Sequence, residues 1–179
     1  MTTYTNETSR LIYARVAGCT FLFYIAAGIT SLALAVQTHA TDVLTLLQNF
    51  SALVLGVTLY MITREQGPAL AMLALTCRVV EAVHSEAAIF FAVGSMLFSW
   101  LLLRGRMIPV ALAWLGVLAS LLWVVGLPLQ LVGVLPDSVT WFIYLPMAAF
   151  EIPLGIWMLI KGVAMSIPKP ASLRAAEVP

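Results

Sequence analysis

Six apolar stretches, separated by short polar breaks, constrain this chain more than any other feature. A helix that crosses a bilayer needs roughly 20 apolar residues, and each stretch is near that length. Together they occupy residues 11–36, 43–62, 68–83, 87–103, 108–132 and 139–162. The pattern predicts an all-α fold, a six-helix transmembrane bundle.

Composition excludes a soluble protein. Hydrophobic residues make up 62% of the 179 residues and charged residues only 9%, with a mean hydropathy of +1.02. Soluble domains are about 45–50% apolar and about 25% charged. The net charge of +1, with no basic cluster, does not predict a nucleic-acid partner.

The basic residues predict the orientation of the bundle. Of nine Lys and Arg residues, all except Arg78 lie at or near the ends of apolar stretches. These are Arg10, Arg15, Arg64, Arg104, Arg106, Lys161, Lys169 and Arg174. With six spans they all fall on one side, while the opposite side carries His39, Asp42, His84, Glu86 and Asp137. Because cytoplasmic loops collect Lys and Arg, both termini are expected in the cytoplasm.

Residues 68–103 are a tight fit for two spans. A single helix of these 36 residues would be about 54 Å long, far beyond a hydrocarbon core of about 30 Å. It would also move five of the eight basic residues to the other side. We therefore expect a short outer hairpin around His84 to Glu86.

The domain organisation follows from the same pattern. Residues 1–10 are expected to be a polar cytoplasmic N-terminus, 11–162 one membrane domain, and 163–179 a disordered cytoplasmic tail. Cys19 and Cys77 lie in apolar stretches and are expected to be buried hydrophobes, not a disulfide or a metal pair. No cofactor is predicted.

Three ionisable residues lie within the apolar stretches: Arg78, Glu81 and Glu151. Such residues are costly in a membrane and usually face the bundle interior with a partner. Arg78 and Glu151 fall at similar depth, which favours an ion pair between the third and sixth helices. Arg78 can also pair with Glu81 three residues on, within one helix.

Polar residues are concentrated in the outer half of the bundle. This predicts a polar cavity that opens outward and is floored by Arg78 and Glu151. The alternative is that the amide side chains join helices through hydrogen bonds. The residues of the outer half are Gln48, Asn49, Glu81, His84, Gln130 and Tyr144.

Two local motifs add to the site. Glu81 and His84 have the E-x-x-H spacing, but di-iron bundles use two such motifs and further glutamates, so no metal is predicted. In the last stretch, Pro146 and Pro153 flank Glu151. Each proline removes one backbone hydrogen bond, so a kinked last helix beside a buried acid is expected.

Four motifs resemble a known family. "RVAG" (15–18), "CRVVEA" (77–82), "IPVALAWLG" (108–116) and "LPMAAFEIPLGIWMLIKG" (145–162) resemble the bacterial membrane family catalogued as domain of unknown function 4386. The resemblance extends over 10–162 and implies a multi-pass inner-membrane protein without an established activity.

Some positions match the family pattern and others depart from it. Arg15, Arg78, Glu81 and Glu151 fall on positions that recur in the family. The departures are Val110 where a basic residue is usual, Pro153 within the last helix, and a short connection after Glu81.

Three functions are compatible with these features. The first is a binding or transport protein whose outward cavity takes a small amphiphile or membrane lipid. The second is a membrane-embedded enzyme acting on a lipid or isoprenoid, with Glu81 or Glu151 as general acid and His84 as proton exchanger. The third is a structural membrane partner without a ligand. Neither the oligomeric state nor the ligand follows from the sequence.

Overall fold

The computed structural model describes residues 2–34, 39–84, 88–136 and 139–164, without the side chains of residues 2–7, 32, 140 and 141. The predicted hairpin residue Glu86, the loop residue Asp137 and the tail with Lys169 and Arg174 lie outside the described residues. The described residues form six α-helices, which confirms the all-α six-helix fold. They are α1 (Thr2–Leu34), α2 (His39–Thr63), α3 (Pro68–Val83), α4 (Ala88–Arg104), α5 (Val110–Leu131) and α6 (Thr140–Ile160).

Proline and glycine mark several helix ends. Pro68 occupies the first turn of α3, where its missing N–H costs nothing, and Pro109 immediately precedes α5. Gly162 follows α6 with a φ of 73°, a left-handed conformation that glycine adopts without strain. Beyond it, the Ala164 N–H donates to the Met107 carbonyl at 2.8 Å, which fastens the end of the described chain to the α4–α5 connection.

The helices form a closed ring in chain order. Each helix packs against its neighbours in sequence, and α6 packs against α1. Small side chains such as Ala14, Ala17 and Ala74 are fully buried between helices. Successive helices therefore alternate in direction around a common axis.

The outside of the ring is apolar. Large hydrophobic side chains such as Leu46, Phe50 and Phe142 are about two-thirds or more exposed. Four helical segments are long and apolar enough to cross a membrane: Thr8–Ser31, His39–Thr63, Val110–Leu131 and Phe142–Ile160. An exposed apolar surface of this extent is typical of a protein whose solvent is lipid, and the chain is a membrane protein.

The two middle helices are shorter than the others. α3 has 16 residues and α4 has 17, which correspond to about 24 and 26 Å. Both fall short of a hydrocarbon core of about 30 Å. Their connection, residues 84–87, is as short as the sequence predicts.

The two ends of the ring differ in charge. The basic end contains the N-terminus, the α2–α3 and α4–α5 connections and the end of α6. The opposite end contains the α1–α2, α3–α4 and α5–α6 connections. Six described basic residues lie at or near the basic end: Arg10, Arg15, Arg64, Arg104, Arg106 and Lys161.

Candidate functional site

Arg78 of α3 is fixed by three contacts inside the ring. Its side chain is 1% exposed, and its Nη1 donates to Glu81 Oε2 at 2.9 Å. The other terminal nitrogen donates to Ser95 Oγ of α4 at 3.0 Å. The guanidinium also lies over the Phe91 ring, with its Cζ 4.8 Å from the ring centroid. Arg78 therefore joins α3 to α4.

Glu81 is fully engaged as an acceptor. One carboxylate oxygen accepts from Arg78, and the other accepts from the Tyr24 hydroxyl of α1 at 2.9 Å. The side chain is buried. Because the spacing of three residues places Arg78 and Glu81 on one helix face, their pair forms within α3.

The expected Arg78–Glu151 ion pair is wrong. Within the described part of the chain, the ion pair of Arg78 is with Glu81, and Glu151 Oε1 is buried without a hydrogen-bond partner. Similar depth along the helices does not determine which way the guanidinium points. Glu81, one helical turn from Arg78 on the same helix face, is the acid that it contacts.

Glu151 lies at the middle of α6, between the two prolines. The helix is continuous through Pro146 and Pro153. Each proline lacks an N–H, so the carbonyls of Phe142 and Ala149 lose their usual intrahelical donors. Glu151 is 6% exposed and faces the interior of the ring.

A cavity of about 290 Å³ lies on the axis of the ring, toward the opposite end. Every helix contributes to its wall. The lining residues are Tyr24, Ile25, Gln48, Glu81, Ala88, Phe91, Trp123, Tyr144, Met147, Ala148 and Glu151. Arg78 lies below it, beside a separate void of only about 10 Å³.

Four aromatic rings follow one another along the cavity wall. Tyr24 and Phe91 stack with centroids 6.5 Å apart, and Phe91 meets Trp123 edge-on at 5.3 Å. Trp123 meets Tyr144 edge-on at 4.4 Å. The indole N–H of Trp123 donates to the Ile143 carbonyl at 2.8 Å, which fixes the ring and joins α5 to α6. We call these four residues the aromatic wall.

The described parts of α3 and α4 end close to the level of the cavity. α3 ends at Val83, two residues after Glu81, and Ala88, the first residue of α4, already lines the cavity. By contrast, α1 continues for ten residues beyond Tyr24 and α2 begins nine residues before Gln48. Those extensions amount to about 15 and 13 Å of helix. Among the described residues, α3 and α4 therefore extend least beyond the cavity.

Half of the predicted site residues line the cavity. Gln48, Glu81, Tyr144 and Glu151 do so. The other four are not among its lining residues: Arg78, His84, Asn49 and Gln130. Arg78 lies below the floor, and His84 is the exposed residue that ends α3, its N–H donating to the Val80 carbonyl at 2.9 Å.

The prediction that Asn49 and Gln130 line the cavity rests only on their depth in the bundle. Asn49 follows Gln48 and is turned about 100° around α2 from it. Gln130 lies seven residues beyond Trp123, or about 10 Å farther along α5. The sequence does not predict the rotation of α2 that turns Asn49 away from the cavity, or the height of Gln130 above it.

Sequence reasoning missed the aromatic wall apart from Tyr144. Tyr24, Phe91 and Trp123 lie in apolar stretches, where aromatic side chains are ordinary core or lipid-facing residues. Tyr24 and Trp123 each carry a polar hydrogen-bond donor in mid-span. This is the one sequence feature which indicates that they need acceptors inside the ring. Among the described residues, no three His, Cys, Asp or Glu side chains come together as a metal site would require.

Comparison with protein families bears on the second half of the chain. The model described as "Domain of unknown function (DUF4386)" matches residues 84–162. Residues 84–162 are similar to this family. The match contains α4, α5, α6 and Glu151, and it confirms the resemblance noted in the sequence. No curated protein and no solved structure matches the chain.

The matched segment supplies only part of the site. It contributes Phe91, Trp123 and Tyr144 of the aromatic wall, together with Glu151. Arg78 and Glu81, and the motifs "RVAG" and "CRVVEA", precede it. The description of the DUF4386 family gives no activity, so the function has to be inferred from the geometry of the cavity.

Proposed function

We propose that this protein binds a small amphiphile or lipid in the axial cavity, or moves it across the bilayer. The observation that carries the proposal is the Glu151 carboxyl group, which lines the cavity with a buried oxygen that has no partner among the described residues. An unsatisfied buried polar atom is costly in a membrane interior, and natural proteins rarely keep one without a use.

The shape of the site favours a ligand from the membrane. Ligand pockets are mostly apolar concavities with a few convergent polar groups, and this cavity combines the aromatic wall with two carboxyl groups and an amide. We infer that the cavity opens to the membrane beside α3 and α4, the described helices that extend least beyond it. An amphiphile in the adjacent leaflet would enter there with its apolar end still in lipid.

The proposal includes location and orientation. We place the protein in the inner membrane of a bacterium, with the basic end in the cytoplasm, because Lys and Arg accumulate on cytoplasmic loops. The cavity then faces the outer leaflet.

The test is identification of the ligand that the protein retains. The full-length protein is purified gently, and native mass spectrometry identifies bound lipids and amphiphiles. Ala148→Phe inserts a ring into the cavity, whereas Ala149→Phe places the same ring on the exposed neighbouring position of α6. We expect Ala148→Phe to lose the retained molecule and Ala149→Phe to keep it. Equal retention by both variants contradicts the proposal.

The enzymatic alternative depends on the same acid. Glu81 is occupied by Arg78 and Tyr24, and His84 does not line the cavity, so Glu151 is the residue with a free oxygen for acid–base chemistry. Incubation of the protein with a lipid or isoprenoid extract tests this. A product that forms with the native protein but not with Glu151→Gln supports an enzyme, provided that the variant still retains the ligand.

A further inference from the structure

The charges around the cavity do not balance. Among its described lining residues, the charged ones are Glu81 and Glu151. Arg78 is buried below the floor, where its terminal nitrogens donate to Glu81 and Ser95 and its guanidinium lies over Phe91, while its Nε has no partner among the described residues. Glu81 therefore has its counter-ion, whereas Glu151 has none within the described part of the chain. A ligand that completes the site brings positive charge or a strong hydrogen-bond donor.

The remaining walls also favour a cation. Aromatic rings attract cations at their faces, and Trp is the strongest of them. The aromatic wall places Trp123 and Tyr144 in the cavity that Glu151 lines. An anionic headgroup would instead meet two acids beside these rings. The site thus selects by charge as well as by shape.

We propose that the ligand is a protonated amine on an apolar body, with its ammonium group at Glu151 and its apolar part along the aromatic wall. This inference rests on the proposed function, because it requires that the cavity holds a ligand. The cavity of about 290 Å³ is at the small end of ligand pockets, so it accommodates a single-chain amine and not a double-chain lipid. A phosphate-bearing headgroup is disfavoured because it would bring a negative charge toward both acids.

Three probes with the same chain and different headgroups test the inference. Radiolabelled octylamine, octanol and octanoate are bound to the full-length protein in nanodiscs, with binding to empty nanodiscs subtracted. We expect octylamine to bind at least about tenfold more tightly than octanol, because a charge-assisted hydrogen bond is about twice as strong as a neutral one. Octanoate should bind most weakly.

Two variants assign the preference to one carboxyl group. Glu151→Gln keeps the size of the side chain and removes its charge, and it should reduce octylamine affinity at least about tenfold while changing octanol affinity by less than about twofold. Glu65→Gln is the control, because Glu65 is 60% exposed at the basic end and remote from the cavity. It removes the same formal charge and should leave all three affinities unchanged.

The outcomes separate the two proposals. If octylamine and octanol bind equally well and Ala148→Phe removes both, the cavity is a ligand site and the amine is wrong. If octylamine keeps its advantage in Glu151→Gln, or loses it in Glu65→Gln, the preference arises elsewhere and the amine is again wrong. If no probe binds and no molecule is retained on purification, the proposed function fails together with the inference.

Discussion

In the half of the ring near the basic end, α1 and α6 approach until their backbones nearly touch. A Cβ atom added at Gly18 would lie 2.6 Å from the Gly155 carbonyl oxygen and 2.6 Å from the Leu159 amide nitrogen. In the other half, the same two helices flank a cavity of about 290 Å³, where Tyr24 and Glu151 face the axis. A Cβ added at Gly28 would approach only the Gln48 side chain, at 3.1 Å.

The difference shows that one ring of helices combines a closely packed region with one that leaves a cavity. Lipid gives no hydrophobic drive for helices to associate, so small residues that allow close packing hold a membrane bundle together. Near the basic end, Gly18 allows α1 to approach the backbone of α6. Toward the opposite end, large aromatic and acidic residues line the cavity, and Arg78 lies between the cavity and the basic end.

The largest expected contrast is in the accessibility of the two ends of the ring to a thiol reagent added outside the cell. With Cys19 and Cys77 replaced, single cysteines are introduced at His39 or His84 of the opposite end and at Arg64 or Arg106 of the basic end. An impermeant thiol reagent should label the first pair in intact cells and the second only after permeabilisation. External labelling at Arg106 contradicts the six-span topology.

Arg78→Ala should cause the largest loss of stability. It removes the counter-ion of Glu81, and breaking a buried pair from one side costs on the order of 3–5 kcal/mol. The thermal midpoint in detergent measures the loss. Glu81→Gln in the Arg78→Ala background should recover much of it, because it removes the acid left unpaired.

The matched control is Glu151→Gln in the same background. It should not restore the thermal midpoint, since Arg78 donates to Glu81 and Ser95. If Glu151→Gln recovers the thermal midpoint and Glu81→Gln does not, Arg78 pairs with Glu151 across the helices, contrary to the structure.

Gly18→Ala tests the closed half directly. The added methyl meets backbone atoms of α6 that cannot rotate away, and overpacking of this kind costs about 1–3 kcal/mol. Gly28→Ala, on the same helix, meets the end of a flexible side chain and gains helix propensity of about 1 kcal/mol. Its thermal midpoint should stay or rise. Equal losses in the two variants would mean that the halves are packed alike.

Glu151→Gln alone should have the smallest effect. Because Glu151 Oε1 has no partner, the change breaks no hydrogen bond of that oxygen, and the thermal midpoint should shift by less than the equivalent of about 1 kcal/mol. Ligand retention is measured on the same sample. A loss as large as that of Arg78→Ala would reveal a structural partner for this acid.

The fold was predictable because lipid restricts what a chain can do. Only helices or closed barrels satisfy the backbone in hydrocarbon, so apolar length and the charges at its ends determine the helices. α3 begins and ends where the sequence predicts, at Pro68 and Val83, and α5 begins within two residues of its predicted start. α1 instead begins at Thr2, nine residues before its apolar stretch, since polar residues outside the membrane can extend a helix.

The sequence predicts how deep the site residues lie in the bundle, but not the direction in which their side chains point. Residue counts placed Glu81, Glu151 and Tyr144 at the level of the cavity, and the structure brings them to its wall. Which neighbour the Arg78 guanidinium selects depends on the rotation of α3 against α4 and α6. That rotation results from packing around the whole ring. The sequence therefore allowed both the Arg78–Glu81 and the Arg78–Glu151 pair, and it favoured the second, which is wrong.

The short helices α3 and α4 also have a consequence for the surrounding bilayer. A hydrophobic span shorter than the local bilayer is accommodated by thinning of the lipid, at a fraction of a kcal/mol per Å of mismatch. Helices of about 24 and 26 Å beside longer neighbours would pull one leaflet inward along a single edge of the protein. The protein would then be sensitive to bilayer thickness and would favour shorter-chain lipids at the side formed by α3 and α4.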